Sequence, residues 1–397
     1  MIDKRMLPLA VGGLGIGTTE FTIMGLLPDI ANALHVSIPQ AGHFISAYAL
    51  GVVIGAPVLV GYSVKHPPKK VLMWLMVLFT IFNALSAIAP NYTSMLFVRF
   101  LSGLPHGAFF GVSTVVATRL AEKGKEARFI SLVFSGLTIA NLAMVPLVTY
   151  IGHTFHWSLY FIIVAIIGAI TILLIHLWLP EMEGKKNGHF TNELHFIKNP
   201  QSWYILLITA IGFGGLFTWL SYITPLMTEV SHISENNIPY VMILAGAGMV
   251  VGNLLGGYLT DRIGVSKASI TLLFLMMLTL ICVFFLSSNK AISLVLTFLC
   301  GGLSMSLSPP VNIMMIKAAP NAEMMSAAFM QAAFNIANAA GAYLGGIPLT
   351  LGFSYSYPSL VGVGMTLTGL IICVAYVSKY NKLNLITIKN KSYDRKN

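Results

Sequence analysis

Short polar breaks cut this chain into apolar runs of about 20 residues, the length that matches the roughly 30 Å of hydrocarbon in a bilayer. Six runs fall near 6–28, 41–62, 71–89, 94–118, 129–151 and 157–179. After a polar stretch at 180–199, six more fall near 201–224, 239–260, 269–286, 291–316, 325–348 and 357–378. A segment in lipid must satisfy its backbone hydrogen bonds internally, and none of the runs alternates like a barrel strand, so each is expected to be a helix. The expectation is an all-α membrane protein with twelve transmembrane helices. A soluble fold is excluded, because only 9% of the residues are charged where soluble domains carry about 25%.

The first run follows Lys4 and Arg5, as a signal peptide would. It is longer than the roughly 7–15 apolar residues of such a peptide and no small-residue cleavage site follows Pro28, so it reads as a retained helix. The net charge of +10 would suit nucleic acid only if the basic residues clustered on exposed polar surface. They sit instead in short loops: Lys65, Lys69, Lys70, Arg119, Lys123, Lys125, Arg128, Lys185, Lys186, Lys198, Arg262, Lys267 and Lys317 follow even-numbered helices or lie in the central loop, whereas Lys290 stands alone on the other side. By the positive-inside rule both termini and the central loop are cytoplasmic in a multi-pass protein of the cell membrane, with the lipid bilayer and no nucleic acid as its surroundings. Cys282, Cys300 and Cys373 all lie inside apolar runs without paired spacing, which implies no disulfide framework, no metal site and no cofactor.

Against this apolar background one acid stands out. Glu20 lies in the body of the first run, where an ionisable group costs about 2.5–3.5 kcal/mol on insertion scales. Such a group faces a protein interior or a wet cavity, and it is a candidate for function unless it merely bonds a neighbouring helix. The other polar residues within helices include Asn141, Trp219, Tyr222, Asn312, Gln331, Asn335 and Asn338. Gln331, Asn335 and Asn338 are spaced by four and three, so they share one helix face that can hydrogen-bond a neutral or zwitterionic solute, or simply hold helices together.

The two sets of six read as copies of one unit. Pro28 and Pro225 close the first helix of each, Gly61 and Gly257 end the second, and Ile139-Ala140-Asn141 matches Ile336-Ala337-Asn338 in the fifth, all at offsets of 196 or 197. Three matches within one residue of a common offset imply two pseudo-symmetric six-helix bundles, 1–180 and 200–397, joined by a loop at 181–199. Parallel repeats of this kind are a transporter architecture with substrate near the midplane.

The motifs narrow this further. Gly257-Tyr-Leu-Thr-Asp261-Arg262-Ile-Gly264 resembles the signature loop of the major facilitator superfamily, and Gly61 to Lys70 is its basic counterpart with Lys65 in place of the aspartate. Arg99-Phe-Leu-Ser102-Gly103 is similar to the arginine-glycine motif of proton-coupled members. Gly136 to Pro146 looks like a degraded antiporter motif, in which Val145, Thr149 and Tyr150 occupy expected glycine positions; Gly341 to Gly346 is closer to the pattern. Gly17-Thr-Thr-Glu20-Phe21, Met24 to Pro28 and Gly103 to Gly111 look like the drug-proton antiporter branch that contains arabinose-efflux-permease-like proteins.

That resemblance implies a major facilitator fold working as a monomer, with protons and a small organic molecule such as a drug or sugar as its partners. It implies proton-coupled efflux; a proton symporter or a facilitator for a neutral solute has the same architecture. In the family fold the first and fourth helices line the central cavity, so Glu20 would carry the proton with Arg99 and His106 beside it. Seven residues apart, Arg99 and His106 share one helix face and bracket Glu20 in depth, with Glu20 roughly 12 Å from the Pro28 end. Arg99 could equally anchor backbone carbonyls near Gly103 and Pro105, and His106 could be a packing histidine. Gly257, Asp261 and Arg262 would form a conformational latch at the cytoplasmic face. No enzyme is expected: the aspartates, Asp3, Asp29, Asp261 and Asp394, all lie outside helix centres, and no phosphate-binding loop is present.

Overall fold

The computed structural model describes residues 4–63, 65–122, 126–183, 194–319 and 322–393. Twelve long helices follow one another: α1 (Leu7–Gly25), α2 (Ile38–Ser63), α3 (Pro68–Ala87), α4 (Tyr92–Leu120), α5 (Phe129–Thr154), α6 (Ser158–Trp178), α7 (Pro200–Ser221), α8 (Glu235–Ile263), α9 (Val265–Leu286), α10 (Lys290–Ala318), α11 (Glu323–Thr350) and α12 (Tyr357–Tyr380). Among the described residues, eleven of these are long and apolar enough to cross a membrane. The remaining one, α11, has 28 residues, and its apolarity is diluted by the amides Gln331, Asn335 and Asn338. Lys123, Lys125, Lys185, Lys186 and most of the loop at 181–199 lie outside the described residues.

Several helices are less regular than their apolar runs suggest, and proline explains where. A proline lacks the N–H that would bond the carbonyl four residues back, and its ring clashes with that carbonyl. Pro28 therefore interrupts α1 at Leu26, beyond which a short helix, Leu27–Ala33, resumes. Pro225 breaks the run expected at 201–224 at Tyr222, and Pro309 and Pro310 break α10 at Leu307. Ahead of Pro146 the backbone of α5 widens into a π-turn at Ala140–Met144. Further π-turns fall at Ile208–Gly212 in α7 and at Leu226–Val230 just beyond it. Wide turns of this sort gather at functional positions.

Close packing repeats between the two sets of helices. A Cβ added to Gly51 or Gly55 of α2 would sit 2.0 or 2.1 Å from the carbonyl oxygens of Phe100 and Leu104 on α4. At Gly248 and Gly252 of α8, 197 positions on, it would sit 2.2 or 1.8 Å from those of Phe298 and Gly302 on α10. In lipid no hydrophobic force drives helices together, so backbone approach across small residues supplies the contact. The duplication read from three sequence matches thus extends to the same pair of helix crossings.

The two sets meet most visibly at the end opposite the termini. Thr224, just past α7, donates its hydroxyl to the carbonyls of Met24 (3.0 Å) and Gly25 (3.2 Å) at the end of α1. Tyr222 donates to the carbonyl of Ala342 on α11 at 2.6 Å and stands against Gly42 of α2, where a Cβ would lie 2.5 Å from its hydroxyl. Nearer the middle, Ser46 of α2 donates to the carbonyl of Ala339 on α11 at 3.0 Å, and Gly246 of α8 lies against the carbonyl of Asn141 in the α5 π-turn.

Candidate transport site

Glu20 sits on α1 with only 7% of its surface exposed. Its direct partner is Asn338 of α11, which donates from Nδ2 to Oε1 at 3.3 Å. The bond therefore ties the first set of helices to the second at the one acid in the body of a membrane helix. Asn338 keeps its carbonyl oxygen buried and without a partner among the described residues, as does Asn335. Asn335 donates to the carbonyl of Gln331 on its own helix at 3.0 Å, so within the amide face of α11 it is Asn338 that crosses to α1.

Arg99 is fully buried on α4 but points one residue away from Glu20. Its Nη1 donates to the Thr19 hydroxyl at 3.1 Å and its Nη2 to the Thr19 carbonyl at 3.4 Å. No ion pair within 4.0 Å joins Arg99 to Glu20, although the guanidinium is near enough to act on the carboxylate through space. The cation lies 4.3 Å from the ring centre of Tyr48 and 5.6 Å from that of Phe161, with Nε unpartnered among the described residues. Aromatic faces and a threonine thus hold a charge whose burial would otherwise be prohibitive.

Thr19 is the hub of this arrangement. Its hydroxyl donates to Oδ1 of Asn83 on α3 at 2.7 Å, and its carbonyl also accepts from the hydroxyl of Tyr160 on α6. His106 does not reach Glu20. Its Nδ1 meets the Tyr48 hydroxyl at 3.1 Å and its ring stands edge-on to Phe110, so Tyr48 links Arg99 to His106. Thr19, Tyr48, Asn83 and Tyr160 escaped the sequence reading. A lone asparagine in an otherwise apolar run was a signal for Asn83; Tyr48 offered none.

The other expected residues are spread along the same interface. Asn141, 197 positions before Asn338, lines a very small void with Phe21, Leu220, Met242 and Met249. Trp219 and Tyr222 are buried on α7 and beside its break. Asn312 donates to the carbonyl of Ser308 on its own helix at 2.8 Å and is not joined to Glu20. Gly257 has open space around it, and Asp261 and Arg262 are exposed at the end that carries the termini, where Arg262 bonds Tyr258 of the same helix at 3.1 Å. At the far end, Asp29 meets His153 at 2.9 Å, and burial pushes its carboxyl above the usual range while His153 opposes the shift.

Twelve helices in two repeats, a buried acid bonded across the line between them, and a caged cation beside it are the features of a membrane transporter. The chain matches the model of the Major Facilitator Superfamily over residues 9–342 and 221–387, and it belongs to that family. It is 37% identical over 359 residues to the candidate transporter AraJ of Escherichia coli (strain K12), covering 90% of this chain and 91% of that protein. It is 36% identical over 389 residues to the inner membrane transport protein YdhP of Escherichia coli O157:H7, covering 98% and 99%. The fold is shared with a D-xylose-proton symporter, at a TM-score of 0.78 and 17% identity over 93% of this chain and 96% of that one. A bacterial homologue of the lysosomal transporter Spinster matches at a TM-score of 0.68 and 14% identity over 95% and 96%. The protein is a multi-pass membrane transporter of small solutes, of the AraJ-like kind, and not an enzyme.

Proposed function

We propose that the protein expels a small organic solute, such as a drug or sugar, in exchange for protons. Glu20 carries the proton, and Arg99 and His106 set its surroundings. Asn141, Trp219, Tyr222, Asn312, Gln331, Asn335 and Asn338 lie along the solute's path. The units that rock against each other are the bundles 1–180 and 200–397 within one monomer, with the loop at 181–199 and both termini in the cytoplasm. Gly257, Asp261 and Arg262 act as the latch on that side and leave recognition to the interior.

The observation that carries this reading is the hydrogen bond from Asn338 to Glu20. It spans the boundary that has to open during alternating access, so the contact can exist in one state and not in the other. A carboxyl there loses or regains its partner as the bundles move, which couples its protonation to the conformational change. The same likeness of fold to a D-xylose-proton symporter favours, as the second reading, uptake of a neutral solute with protons. Reconstitution in liposomes with an imposed pH gradient and a panel of labelled drugs and sugars separates the two. Antiport moves solute against the proton flow and releases protons on solute binding; symport moves both together, and a facilitator ignores the gradient.

A further inference from the structure

On the face opposite the termini, a cleft of about 900 Å³ opens between α8, α10 and the segment joining α7 to α8. Its rim is polar and of both signs: Glu229, His232, Glu235 and Lys290. Its wall is apolar, formed by Tyr240, Ile243, Leu244, Ala247 and Leu294. Tyr240 and Ile243 are 68% and 42% exposed, which leaves the wall open on the outer face of α8. From the start of α8 the wall descends to Ala247, twelve residues or roughly 18 Å at the rise of a helix, close to the thickness of one leaflet's hydrocarbon.

The charges are informative because they share a rim without neutralising one another. Among the described residues no ion pair within 4.0 Å joins Lys290 to Glu229 or Glu235. Lys290 is also the one basic residue the sequence places in the loops on this side. A ligand that complements the cleft therefore carries an anion for Lys290, a cation with N–H donors for the two carboxylates, and an acyl tail for the wall. We infer that the cleft binds one amine-bearing zwitterionic phospholipid from the leaflet opposite the termini, its phosphate at Lys290, its ammonium between Glu229 and Glu235, and one chain along α8 and α10. A primary ammonium donates three hydrogen bonds to carboxylates, which a quaternary one cannot do. The binding is separate from the buried site at Glu20.

The test is native mass spectrometry of the full-length protein, with dioleoyl lipids bearing phosphoethanolamine, phosphocholine or phosphoglycerol headgroups in competition. Phosphoethanolamine lipid should be retained about fivefold better than phosphocholine lipid, the order of one interfacial charge contact. Lys290→Ala should lower retention of all three, and Glu229→Gln with Glu235→Gln should remove the preference for phosphoethanolamine while leaving the phosphate contact. All three positions are exposed, so the variants should fold as the parent does. Equal retention of the three lipids, or retention unchanged in both variants, overturns the proposal. So does preferred retention of phosphoglycerol lipid, which would leave a phosphate contact alone. Tetraphenylphosphonium displacing the lipid, and binding more tightly in Lys290→Ala, would instead make the cleft a vestibule for organic cations and equally overturn it.

Discussion

Glu20, Thr19 and Arg99 divide the labour of placing charge inside a membrane. The carboxylate is left with one amide partner across the boundary, while the cation is held by groups of its own bundle. Removing the charge with Glu20→Gln keeps shape and some hydrogen bonding but cannot cycle a proton. Liposomes carrying that variant should lose accumulation against a gradient and solute-induced proton release, and keep downhill exchange; uphill transport with an unchanged pH profile would move the proton off Glu20. Tyr48 makes a different kind of contribution, since its ring faces Arg99 and its hydroxyl meets His106. Tyr48→Phe keeps the ring over the cation and leaves the buried imidazole nitrogen without that partner. A loss of about 1–3 kcal/mol is expected, seen as a lower melting temperature, with the guanidinium still in place. At this scale the sequence marked Glu20 and Arg99 because charges in apolar runs are rare. It did not mark their cage, because threonines and tyrosines are unremarkable in such runs and acquire their roles only through neighbours 51 to 141 residues away, as Tyr48 and Arg99 or Thr19 and Tyr160 are.

Among the elements, helix boundaries were mostly legible and helix interiors were not. A proline announces a defect, but whether the chain answers with a break, as at Tyr222, or with a wider turn, as at Ala140–Met144, depends on what packs alongside. Glycine positions show the same dependence. Gly252 has the carbonyl of Gly302 where its Cβ would stand, while Gly257, one and a half turns on, has nothing within 4 Å. Gly252→Val should therefore push α8 from α10 and destabilise the protein by about 3 kcal/mol or more, visible as aggregation on size-exclusion chromatography. Gly257→Ala should leave the melting temperature unchanged or slightly higher. A transport defect in that second variant would then report on the motion of the latch and not on packing.

For the whole molecule the predictions concern sidedness and the state of the two ends. A cysteine at Lys290 should react with an impermeant maleimide added outside intact cells, and one at Lys267 should react only after permeabilisation; the reverse pattern would invert the topology. The end opposite the termini is held by Thr224 against α1 and by Tyr222 beside Gly42. A side chain at Gly42 competes for the space of the Tyr222 hydroxyl, so Gly42→Val should disfavour closure there. A cysteine at Ser46 in that background should label several-fold faster from outside, the response of a conformational equilibrium moved by about 1 kcal/mol; an unchanged rate would mean that Gly42 does not gate this end.

By itself the sequence determined the class of the molecule. Runs of apolar residues as long as a bilayer is thick leave helices as the only economical form, the asymmetry of loop charges predicts their orientation, and a repeat offset near 197 pairs them into two related sets. These properties follow from composition and spacing along one chain, which is why they can be read without coordinates. Only the tertiary structure decided which groups meet. It gave Glu20 to Asn338 of α11 and Arg99 to Thr19, because a side chain's partner in lipid is set by which helix faces cross and how closely their glycines let them approach.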